Sequence, residues 1–284
     1  LADKRECSTN LSVKDNYAMD KNRLKELAGS KRFIEGIYNY CDRWCERCPF
    51  TLRCLNYAMA EDEPEQAENQ DVRNQAFWQK IGETLNVTLE LLHEFAEEHG
   101  IDLGAIDSEE AAETAMLRDE MARDHGCCRA ARAYGEMVND WVESTRGLME
   151  QREPGPGEGV IKGTEDAGAQ EAQTALDEAL EVIHWYQHQI YVKLMRAARG
   201  SLTDDLEAEE GFQKDSDGSA KVALIGIDRS LAAWGEVRRS LPLFEQETVR
   251  ILLHLERLRR EVEKAFPEAR AFIRPGFDRV DLQS

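Results

Sequence analysis

A chain of 284 residues with a 42% apolar share can bury a core of its own, as one large domain or two small ones. Its 36 basic and 56 acidic residues leave a formal charge of −20, which repels nucleic-acid phosphate and anionic lipid headgroups. Nucleic acid and membrane surfaces are therefore excluded as expected partners, and a basic protein or a redox partner is favoured.

No apolar run reaches the roughly 18–20 residues that cross a bilayer, and the segment Leu1 to Cys7 lacks the blocks of a signal peptide. Seven cysteines, an odd number with four of them clustered, do not suit an extracellular disulfide scaffold. A cytoplasmic protein with reduced thiols is the expectation.

Apolar residues recur at three- and four-residue steps almost everywhere, so the spacing predicts an all-α, multi-helix bundle with a short cysteine-rich metal-binding segment. A polar N-terminal arm occupies 1–30 and a cysteine-rich helical segment 31–60. In that segment a helix is predicted from Lys31 to Arg47, with Cys41, Cys45 and Cys48 on one seam, ended by Pro49. The bundle core spans 61–200. It holds a helix from Val72 to His99 stopped by Gly100, and another from Ser108 to Met149 broken at Gly126. A flexible loop at 153–167 contains the Pro-Gly run Glu153–Gly159, and a helix apolar on more than one side follows from Ala169 to Arg199. After a polar loop from Gly200 to Ser219, a C-terminal helical pair and tail fill 201–284, with helices at Ala220–Arg239 and Phe244–Phe266 around Pro242. The tail from Phe266 to Phe277 is expected to fold back on the bundle.

Cys41, Cys45, Cys48 and Cys54 lie within fourteen residues, a crowding that packing does not require. Such spacing supplies thiolates to an iron-sulfur cluster or to a structural zinc ion. On one straight helix Cys41 and Cys48 would stand about 10 Å apart along the axis, too far for a single zinc. As buried residues of an amphipathic seam, the same cysteines would need no metal. The run Cys45-Glu-Arg-Cys48-Pro-Phe-Thr-Leu-Arg-Cys54 resembles the iron-sulfur staple of RecB-like nucleases, which implies a [4Fe-4S] cluster with Cys41 in place of that family's distant fourth ligand. The resemblance covers about ten residues of the 284 and brings no nuclease motif with it. Cys41-x3-Cys45-x2-Cys48 also has radical-SAM spacing, but the strand–helix alternation of that barrel is missing.

Two Glu-x-x-His pairs, Glu90/His93 and Glu181/His184, place a carboxylate and an imidazole on neighbouring turns. Their helix order resembles the ferritin-like bundles, which implies a di-iron or di-manganese site with Glu143 as a bridging carboxylate. His93, Glu97, His184 and His188 also resemble fragments of a hemerythrin site. Solvated helix edges would produce the same pattern, and His184 and His188 are expected to lie inside. His125-Gly-Cys127-Cys128 offers either a reactive thiol or ordinary packing. The leading expectation is a redox metalloprotein, an oxidoreductase if it is an enzyme. The alternative is an acidic interaction scaffold stapled by zinc or by a static cluster.

Overall fold

The computed structural model describes residues 21–61, 73–105, 107–150, 167–203 and 213–278, and among them the regular elements are helical with no strand. The chain divides into two units, Leu1–Ile34 with Pro49–Asp107 and Glu35–Cys48 with Ser108–Ser284.

The first unit contains α1 (Lys21–Ala28), α2 (Leu55–Glu61) and α3 (Gln75–His99). Lys21 and Lys25 of α1 both reach the Glu94 carboxylate on α3, and Lys21 lies 3.7 Å from Glu90. Gly100, at φ 67°, ends α3 in the left-handed region that favours glycine.

The second unit contains α4 (Ser108–Asp124), α5 (Gly126–Glu150), α6 (Ala167–Ser201), α7 (Asp215–Ser240) and α8 (Glu245–Ala265). Helices α5, α6, α7 and α8 form a four-membered ring in which each packs on the next, and α4 lies against α5 and α6. Their inner faces bury Tyr134, Val138 and Trp141 from α5 and Leu176, Ile183, Tyr186, Ile190 and Leu194 from α6. Leu224, Ile227 and Trp234 from α7 meet Ile251, Leu255, Leu258 and Val262 from α8. Each such side chain contributes on the order of 1.5–3 kcal/mol by leaving water. The Trp234 indole donates to the Tyr134 hydroxyl at 3.1 Å, which satisfies two buried polar groups at once. Ion pairs Arg238–Glu245 and Arg259–Asp228 show α7 and α8 running antiparallel, as the short link at Pro242 demands.

The tail does fold back, burying Ala269 and Phe272, and Lys221 donates to the Phe272 carbonyl. Gly226 lets Tyr186 of α6 approach α7 closely, since a Cβ there would stand 2.8 Å from its ring.

Three expectations need correction. The helix from Lys31 to Arg47 does not form: Gly36 sits at φ 71° and Arg43 at φ 60°, and the Asp42 carboxylate accepts the Trp44 amide at 3.2 Å. A local side-chain acceptor of this kind competes with helical hydrogen bonding. The argument against zinc that rested on a straight helix therefore loses its premise. Helix α7 begins at Asp215, inside the expected polar loop. Part of the expected polar arm is helical, as α1. The Pro-Gly run at 153–159 lies outside the described residues.

Candidate functional site

Three short 3-10 turns replace the expected cysteine helix, at Ile37–Tyr40, Cys45–Arg47 and Thr51–Arg53. Each is followed immediately by a cysteine in extended conformation: Cys41, Cys48 and Cys54. The Cys48 and Cys54 amides close their turns by donating to the Cys45 and Thr51 carbonyls at 3.1 Å each. All four cysteines are half-buried thiols. Cys41, Cys45 and Cys48 belong to the second unit and Cys54 to the first.

Asp42 anchors this segment to the bundle. Its carboxylate accepts from the Tyr186 hydroxyl at 2.5 Å and from Arg229 at 2.7 Å, and Arg229 also donates to the Tyr186 hydroxyl. The Asp42 carbonyl accepts from the Trp185 indole and the Gln189 amide, each at 3.0 Å. Burial raises the Tyr186 phenol well above its ordinary range, and the Asp42 hydrogen bond adds to the effect. Two residues on, Trp44 is 5% exposed and stacks on Trp185 with ring centroids 5.0 Å apart. The Arg47 guanidinium covers the Trp44 ring at 4.2 Å and pairs with Glu181.

A second anchor precedes the first cysteine. The Tyr40 hydroxyl donates to Asp215 at 2.8 Å, at the start of α7, and burial with that carboxylate pushes the phenol up to about 12. Arg196 forks onto the same Asp215 carboxylate at 2.6 and 3.1 Å and donates to the Asn39 carbonyl at 3.0 Å.

Lys193 on α6 is 7% exposed. Burial holds its ammonium below the usual lysine range; Arg196 and Arg43 push the same way, while the Cys41 sulfur and Asp42 oppose them. Among the described residues no carboxylate forms an ion pair with it. In a chain of charge −20, the surroundings of Cys41 are thus locally cationic, with Arg43, Lys193, Arg196 and Arg229 all close by.

Among the described residues no three His, Cys, Asp or Glu side chains form a group that could hold a metal ion. The Glu-x-x-His residues are all exposed: Glu90 and His93 on α3 in the first unit, Glu181 and His184 on α6 in the second. Glu90 is engaged by Lys21 and Glu181 by Arg47. Glu143 is exposed and pairs with Arg146 one turn away. His188, expected inside together with His184, is also exposed; the polar residues buried on that helix are Lys193 and Gln187, and Gln187 donates to the Gly135 carbonyl at 3.0 Å. Cys127 and Cys128 are buried, and burial pushes their thiols up to about 11 and about 12, which favours the packing reading over a reactive pair.

Asp42, Arg229 and Lys193 went unread in the sequence. The partners of Asp42 lie 144 and 187 residues along the chain, and no local spacing encodes such a meeting. Comparison with protein-family models, curated proteins and solved structures returns no match.

Proposed function

We propose that Cys41, Cys45 and Cys48 hold a metal centre, an iron-sulfur cluster that passes electrons, with the helical ring of their own unit as its platform; the spacing in sequence offers Cys54 as a fourth thiolate. The observation that carries this reading is the buried Lys193 ammonium beside Cys41, with which no carboxylate forms an ion pair among the described residues. Four thiolates around Zn²⁺ or a [4Fe-4S]²⁺ core carry a net charge of about −2, and a desolvated cation beside them supplies compensation that water cannot. Turn-ended cysteines in extended backbone suit such ligation, and metal binding itself closes a site that is not preformed.

The di-metal reading lacks comparable support, because its carboxylates are already paired with Lys21 and Arg47. A zinc-stapled interaction scaffold remains the second reading, favoured by the exposed apolar face of α3.

Metal analysis of anaerobically purified protein is the test. The expected result is about four irons per chain with broad absorption near 400 nm. The Cys45→Ser variant should lose metal, and Glu181→Ala should retain it. Colourless protein with one zinc would move the assignment to the scaffold. Metal-free protein, or metal unaffected by Cys45→Ser, would defeat the proposal.

A further inference from the structure

Helix α3 presents Trp78, Ile81, Leu85, Leu89, Leu92 and Phe95 to solvent, and Leu85 keeps 58%, Leu89 52%, Leu92 49% and Phe95 51% of its surface exposed. Steps of three and four residues gather these side chains into one stripe. The opposite face of the helix carries Glu90 and Glu94, and α1 is held there through Lys21 and Lys25. The stripe exposes on the order of 600 Å², at the upper end of what a monomer leaves in one patch. That area approaches the ~800 Å² per partner of a stable interface.

The stripe is its own complement. Turned end for end, position 78 meets 95 and 81 meets 92, with Leu85 and Leu89 flanking the centre, so aromatic faces aromatic and aliphatic faces aliphatic. Glu83, Glu90, Glu94, Glu97 and Glu98 all lie more than ~120° around the helix from the stripe's midline, at ~100° per residue. The seam is therefore free of carboxylates, and the chain's negative charge does not act directly across it.

We propose that α3 is a self-association helix, pairing antiparallel with α3 of a second copy of this chain about a two-fold axis. Such a contact is isologous: Ile81 of each copy packs on Leu92 of the other, with Leu85 and Leu89 of both copies gathered near the two-fold axis.

Sedimentation velocity of the full chain across a dilution series tests the pairing. The expected result is a dimer that dissociates on dilution, and a Leu85→Asp/Leu92→Asp variant that halves in mass with an unchanged far-ultraviolet spectrum. The register has its own test, independent of how that variant folds. Ile81→Glu/Leu92→Lys brings unlike charges together twice across an antiparallel seam and restores the dimer, whereas Ile81→Glu/Leu92→Glu does not. A single-chain mass at every concentration overturns the proposal, including the case in which α3 amides are protected in that monomer because the same chain covers the stripe. A dimer that survives the paired aspartates, or one that the Glu/Lys pair supports no better than the Glu/Glu pair, also overturns it.

Discussion

His125 stands between α4 and α5, where one residue ends a helix and starts the next. Its Nδ1 accepts the Cys127 amide at 3.3 Å, so the imidazole serves as a cap for α5, and its ring packs 5.9 Å from Phe266. Only the neutral ring can accept. Burial holds its pKa below the ordinary histidine value of 6.5, with the Arg129 charge adding to the effect. The unfolded chain then binds the proton more readily than the folded one. Stability from this group is fully present above about pH 6.5 and is lost as pH falls through the lower folded-state value. Urea midpoints measured from pH 7.5 to 5.0 should therefore fall, and His125→Asn, which keeps a cap oxygen but cannot titrate there, should flatten the slope. Equal slopes for the two proteins would remove His125 as the cause.

At the scale of elements, α6 and α7 together are where the cysteine segment meets the bundle. A Cβ on Gly218 would stand 2.4 Å from the Tyr40 ring and 2.6 Å from Phe272, whereas a Cβ on Gly235, in the same helix, meets nothing within 4 Å. Alanine favours helix over glycine by up to about 1 kcal/mol, and overpacking costs about 1–3 kcal/mol. Gly218→Ala should then lower the melting temperature by several degrees while Gly235→Ala leaves it equal or higher, as calorimetry can read. The lengths of α3, α5, α6 and α8 were legible because each has a strong three-to-four periodicity and ends at a glycine, a proline or a polar run. The 31–47 stretch was not. Its apolar spacing is also helical, but Gly36, Asp42 and Arg43 impose turns that the period cannot show, and Trp44 stacks on Trp185 of α6. The crowding of Cys41, Cys45, Cys48 and Cys54 along the chain is plain from spacing, whereas the anchoring of Asp42 to Tyr186 and Arg229 depends on long-range contacts.

For the molecule as a whole, burial is divided unequally between the two units. Among the described residues every buried apolar side chain except Ala96 belongs to the second unit. Local opening free energy follows buried contact, so the two units should not open together. In native-state hydrogen exchange, central amides of α5, α6, α7 and α8 are expected to exchange only through global unfolding. Those of α3 should exchange on the order of 100-fold faster in dilute protein, because its apolar face gains nothing from folding against water. Self-pairing adds a second dependence: α3 exchange should slow as protein concentration rises, while the ring of α5 to α8 stays unchanged. Uniform protection across both units at every concentration would mean that the first unit shares the core of the second, and the division drawn from burial would fail.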